Sequence, residues 1–172
     1  RHIKAVTKSK KNSINGRQQR AMRRLLCQSK YDHMITWNFN RKNFTVKQVQ
    51  DTINEWQKQL DRKMLGRRFY KKKQGTKFAV FVEHIDSNIH AHGMVRWGLG
   101  SRIKQLQYAL CAETHWADLM PSGSICIKKI NMREKHRVAS YCTKDFYFER
   151  ERDAAFFKTK VDNKTASVKR RC

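Results

Sequence analysis

The sequence predicts an α+β fold of the ferredoxin-like, split βαβ kind: an antiparallel sheet of four or five strands with helices packed on one face. Three observations carry this. Short apolar segments at 33–39, 77–85, 89–97 and 124–130 have strand length and alternation. Two longer segments with helical spacing separate them, and a third follows. The resulting order, β-α-β-β-α-β-α, uses a strand-helix-strand unit twice, which is how that architecture is built.

The elements follow in order. "HMITWNF" (33–39) alternates and forms the first strand. "TVKQ" (45–48) is a capping box with Thr45 as cap and Gln48 three residues on. Behind it Val46, Val49, Ile53, Trp56, Leu60 and Met64 recur at helical spacing as a core face, and Gly66 ends the helix. "RRFYKKKQGTK" is a basic connector. "KFAVFVEHI" and "IHAHGMVRW" are the second and third strands, with "DSN" between them. Ser101 caps a second helix whose Ile103, Leu106, Leu110 and Trp116 are expected to face inward. "PSGS" is a turn, and "SICIKKI" (124–130) the fourth strand. Asn131 and Glu134 cap a third helix expected to run to about Phe148.

Charge and composition narrow the function. The chain has 172 residues, enough for one domain with a core plus tails. Its 39 Lys+Arg against 14 Asp+Glu give +25, which calls for a polyanionic partner. Trp, Tyr and Phe scattered among basic residues suit single-stranded nucleic acid, because every base has a face to stack. The alternative is a soluble basic protein with no such groove. Residues 1–30 form a basic N-terminal arm ("KSKK", "RQQRAMRR"). Ala21, Leu25 and Leu26 allow a short helix over 17–29 that would contact phosphate; a solvated arm is the other reading. Residues 31–148 form the folded domain, and 149–172 a polar, basic C-terminal tail. In the connector, Arg67, Arg68, Lys71, Lys72 and Lys73 are expected to track a DNA backbone, with Phe69 and Tyr70 either stacking on bases or anchoring the loop to the core.

Cys27, Cys111, Cys126, Cys142 and Cys172 form no C-x-x-C pair, so reduced thiols and an intracellular protein, nuclear or cytoplasmic, are expected. No apolar run approaches the roughly 18 residues of a membrane span. The chain begins with Arg1 and is expected to be part of something longer.

The hairpin "VEHIDSNIHAHGMV" (82–95) carries the chemistry. His90 and His92 are i and i+2 on a strand and share a face. A third ligand depends on the register. A two-residue loop at Asp86–Ser87 pairs Glu83 with His90, and one at Ser87–Asn88 pairs it with His92; both put Glu83 on the histidine face. A three-residue loop would put His84 there. Even loops are the commoner choice, which favours Glu83. Two imidazoles and a carboxylate suit Mn²⁺ or Mg²⁺ with open water positions better than a closed zinc site. The plain alternative is two polar residues on a solvated sheet face.

On the third helix, Tyr141, Lys144 and Asp145 share one face, while Val138, Cys142 and Phe146 pack inward beside it. A tyrosine is a phosphodiester nucleophile when a metal polarises the phosphate, and a lysine one turn away steadies the negative charge. A packing tyrosine and a solvated lysine are the ordinary alternatives.

"ITWNF", then "HAH", then "YCTK" resemble, in this order, the three motifs of HUH endonucleases, and "SYCTKD" is most similar to the Y-x-x-K motif of single-tyrosine rolling-circle replication initiators. The resemblance covers about residues 33–148. It implies a metal held by His90, His92 and Glu83, attack by Tyr141 on the scissile phosphate, a 5′-phosphotyrosine link with a free 3′ hydroxyl, and help from Lys144. It implies single-stranded DNA as partner, at an origin or element end beside a hairpin. Tyr147 lies six residues from Tyr141, so the two-tyrosine spacing Y-x-x-x-Y is absent. Nothing resembles an ATP-binding loop, and the N-terminal arm precedes the usual motif start. Two alternatives stand: an HUH transposase or relaxase-like nuclease of a mobile element, and a non-catalytic ferredoxin-like nucleic-acid-binding module. The second lacks the aromatic strand segment of RNA-recognition sheets.

Overall fold

The computed structural model describes residues 16–41, 44–70, 74–84, 87–98 and 102–144, with the backbone alone at 102–103 and 156–158. Expectations for Lys71, Lys72, Lys73, Ser101, Asp145, Phe146 and Tyr147, and for the side chain of Ile103, fall outside these residues. The elements are α1 (16–28), β1 (His33–Asn38), α2 (Val46–Leu65), β2 (Lys77–Glu83), β3 (His90–Arg96), α3 (Arg102–Leu119), β4 (Ser124–Lys129), a 3₁₀ turn (Met132–Glu134), α4 (Lys135–Cys142) and β5 (Phe156–Lys158).

The sheet order is β4-β1-β3-β2-β5 and every pairing is antiparallel. β3 lies between β1 and β2, the two strands that α2 connects, so the βαβ unit is split as the element order predicts.

Local chemistry sets the first crossover. Thr45 Oγ1 accepts from the Gln48 N–H at 3.2 Å, and Gln48 Oε1 accepts from the Thr45 N–H at 2.8 Å, closing the capping box. Gly66 ends α2 at φ +80°, a conformation that favours glycine, with its N–H donating to the Arg62 carbonyl. Val49, Ile53, Trp56 and Leu60 are buried against Ile35, Trp37, Phe78, Val80 and Val82 of the sheet. Trp56 Nε1 donates to the Ala112 carbonyl at 3.0 Å and ties α2 to α3. Gly93 is needed behind β3: a Cβ there would meet the Trp37 ring at 2.7 Å.

Three expectations need correction. The crossover helices α2 and α3 do lie on one face, but α1 and α4 cover the other, packing Leu26, Ala139 and Cys142 onto Ala79, Phe81 and Met94. The cause is legible in "KFAVFVE", which is apolar at both parities and so must be buried on both faces. On α3 the inward face is Tyr108, Ala112 and Trp116, whereas Leu106 and Leu110 are 62% and 68% exposed. A polar anchor sets this rotation. The Tyr108 hydroxyl donates to Asp61 Oδ1 at 3.1 Å, and the same buried carboxylate accepts from the Thr76 N–H and hydroxyl at 2.8 and 2.6 Å. Burial raises the Asp61 pKa, and the four donors around it oppose that. The third correction is to α4, which ends at Cys142 and not near Phe148. Asn131 caps the preceding 3₁₀ turn, through a bond from the Arg133 N–H to its Oδ1.

Candidate metal and nucleophile site

The hairpin register is the one that an even loop requires: Glu83 pairs with His90 and Phe81 with His92. Glu83, His90 and His92 therefore project from the face that α1 and α4 cover. One ligand atom from each lies within 4.8 Å of the others. His90 Nε2 is 3.4 Å and His92 Nε2 3.5 Å from Glu83 Oε2. His84 is outside this cluster. It is exposed, at φ +54°, with its ring 4.9 Å from that of His90.

The face is not solvated. His92 is 3% exposed and Glu83 1%. His92 Nδ1 is 2.9 Å from the Thr36 hydroxyl on the paired strand, an arrangement that turns Nε2 toward Glu83. Sequence reasoning missed Thr36. The signal was its parity, since Thr36 sits opposite His92 on the same sheet face.

Tyr141 and Lys144 converge on the same place from α4. The Tyr141 hydroxyl is 3.5 Å from His92 Nε2, and its ring lies 4.8 Å from the imidazole at 69°. Lys144 Nζ is 3.1 Å from Glu83 Oε2 and 4.8 Å from the Tyr141 ring centroid. Tyr141 is 44% exposed, so its hydroxyl stands between a buried cluster and solvent.

The electrostatics suit a cation. Burial opposes charge on Glu83, yet the contacts of His90, His92 and Lys144 outweigh it and hold the carboxyl well below the usual carboxylate range. The Glu83 contact raises His90, partly offset by burial. Neither Glu83 oxygen has a partner of good hydrogen-bond geometry, although three nitrogens lie at ion-pair distance. A buried carboxylate so placed, facing two imidazole nitrogens, fits a divalent cation. Metal-ligand bonds of about 2.0–2.2 Å put neighbouring ligand atoms roughly 3.0–3.5 Å apart. Cys142, buried below, is a packing thiol; burial and the nearby Glu83 charge push its pKa up to about 12.

Beside Tyr141 a groove of about 540 Å³ opens between α4 and the β4 edge of the sheet. Met34 and Val138 line it with apolar surface, Thr36 adds a hydroxyl, and Lys128 and Arg137 add two cations.

The connector sits elsewhere. It leads into Lys77, at the opposite end of β2 from Glu83, about 20 Å away at 3.3 Å per residue. Phe69 is 8% exposed, with its ring where a Cβ at position 75 would meet it at 3.2 Å, whereas Tyr70 is 56% exposed. Arg67 and Arg68 are exposed. Burial thus fits Phe69 to the anchoring role named in the sequence, and exposure leaves Tyr70 available for contact with a ligand. Phe69→Ala is expected to cost about 3 kcal/mol of stability and lower the melting temperature. Tyr70→Ala should leave melting unchanged and weaken single-stranded DNA binding by about 1–3 kcal/mol, read by titration with an oligonucleotide. Among the described residues, no helix is long and apolar enough to cross a membrane.

Comparison with protein-family models, curated proteins and solved structures yields no match for this chain.

Proposed function

We propose that the protein is a metal-dependent, single-stranded DNA endonuclease of the HUH type, nicking and rejoining strands through a 5′-phosphotyrosine intermediate and so initiating rolling-circle replication. One observation carries the reading: a half-exposed tyrosine, Tyr141, with its hydroxyl 3.5 Å from the His92 imidazole of a largely buried Glu-His-His cluster.

Glu83, His90 and His92 would hold Mn²⁺ or Mg²⁺, which when bound supplies Lewis-acid polarisation of a phosphoryl oxygen. Tyr141 Oη attacks phosphorus, and the bond from phosphorus to the 3′ oxygen breaks. The phenol gives up one proton and the departing 3′ oxygen takes one up, leaving a 3′ hydroxyl and a 5′ phosphate on Tyr141. The reverse step, with a 3′ hydroxyl as nucleophile, rejoins a strand without an outside energy source. Lys144 neutralises the buried carboxylate and lies over the Tyr141 ring, where its ammonium would steady the negative charge that builds up on the phosphate. The groove flanked by Lys128 and Arg137 leads to Tyr141 and suits a strand carrying backbone phosphates.

A pool of single-stranded oligonucleotides incubated with the protein and Mn²⁺ tests this. DNA that stays attached after denaturation, with a matching fragment ending in a 3′ hydroxyl, is the expected result. Binding with no covalent product would instead favour a non-catalytic nucleic-acid module.

A further inference from the structure

The four arginines of α1 suggest a free basic arm, but its inward side does something more specific. Gln19 Nε2 donates to the carbonyls of Thr143 and Lys144 at 3.1 and 3.0 Å. Arg23 Nε donates to Thr143 Oγ1 at 3.1 Å, and that hydroxyl donates to the Ala139 carbonyl at 2.8 Å. At the other end, Lys135 Nζ donates to the Ser29 carbonyl. Between these ties, Met22 and Leu26 pack in one cluster with Val138, Ala139 and Cys142. α1 thus runs antiparallel along α4 and holds both its ends. From Gln19 to Ser29 is about 15 Å and from Lys135 to Thr143 about 12 Å at helical rise, so the two spans match.

α4 needs such support. It has eight residues and no side-chain N-cap. A helix that short is marginal in isolation, and its last carbonyls have no helical partners. The bonds from α1 land on Thr143 and Lys144, the residues that decide where Lys144 and the last turn of α4 point.

We propose that α1 is a positioning element for catalysis, in which Gln19 and Arg23 fix the exit of α4 so that the Tyr141 hydroxyl and the Lys144 ammonium meet the Glu83-His90-His92 cluster. The inference rests on the function proposed above for those groups. It also gives the N-terminal segment a role other than charge: Arg17, Arg20 and Arg24 point outward, while Gln19 and Arg23 serve the site.

The test combines Arg23→Ala, Thr143→Val and the double variant. Each single change should lower the single-turnover rate of adduct formation tenfold or more, since a displacement of about 1 Å near the reacting atoms has effects of that size. Affinity for the oligonucleotide without metal should stay within threefold. The double variant should be no slower than the worse single one, because both remove the same bond. Arg23→Lys, which keeps a cationic donor, should recover part of the rate. Amide exchange read without DNA should quicken at Thr143 and Lys144 and stay unchanged in β1–β3. Gln19→Ala should repeat that pattern and provides the reading if Arg23→Ala does not fold. Unchanged exchange at 143–144, additive rate losses, or rates within twofold of wild type would overturn the proposal. Absence of adduct in the wild-type protein would remove the proposed function, and the exchange measurement would still decide whether α1 holds α4.

Discussion

Tyr141→Phe is expected to abolish covalent adduct formation and to slow strand cleavage by at least roughly three orders of magnitude. It removes only the oxygen that would attack phosphorus. The hydroxyl has His92 Nε2 at 3.5 Å, the residue is 44% exposed, and the ring remains against the imidazole. Stability should therefore change by no more than about 0.5 kcal/mol. Oligonucleotide binding should be near wild type, because the groove keeps its walls and its two cations. Gel detection of protein-linked DNA, thermal melting and titration separate these effects. Retained adduct formation in Tyr141→Phe would assign the nucleophile to another residue.

The second large effect concerns the metal. Mn²⁺ should stabilise the wild-type protein, by about 2.7 kcal/mol at a concentration one hundred times the dissociation constant. His90→Ala should remove both that stabilisation and metal-dependent cleavage. His90 is the better ligand to change. Its side chain is 19% exposed against 3% for His92, which also bonds Thr36, so alanine at 92 would open a cavity under α4. The pH dependence has a definite sign. Contact with Glu83 raises the His90 pKa, so the imidazole holds its proton to higher pH than it ordinarily would, and a metal must displace that proton. Mn²⁺ affinity should rise with pH through the His90 value, at most about tenfold per pH unit, and then level off. Calorimetric titration at several pH values checks both. An affinity that falls with rising pH, or is unchanged in His90→Ala, would contradict this assignment.

Local rules made much of this legible in the sequence. The capping box at Thr45 and the stop at Gly66 need only neighbouring residues, and both hold in the structure. Glu83 could be placed on the histidine face because the period of a strand is two and the loop has few options. What escaped depended on partners distant in sequence. The inward face of α3 could not be read from its leucines, because the hydroxyl of Tyr108 is anchored by Asp61, 47 residues away. Thr36 looked like any strand threonine until β1 paired with β3. Gln19 and Arg23 sit in a run that reads as a phosphate-contacting helix or a solvated arm, and their targets lie 120 or more residues on. A side chain's charge is visible in sequence, but the carbonyl or hydroxyl that receives its hydrogen bond is not.

Under the proposed function Tyr141, set against the Glu83-His90-His92 cluster, becomes linked to DNA. Mass spectrometry of the proteolysed, nuclease-trimmed adduct tests it most directly. The expected product is a nucleotide 5′ phosphate on the peptide containing Tyr141, formed only when Mn²⁺ or Mg²⁺ is supplied. Nucleotide on a different tyrosine, or adduct that forms equally well in the presence of a chelator, would contradict it.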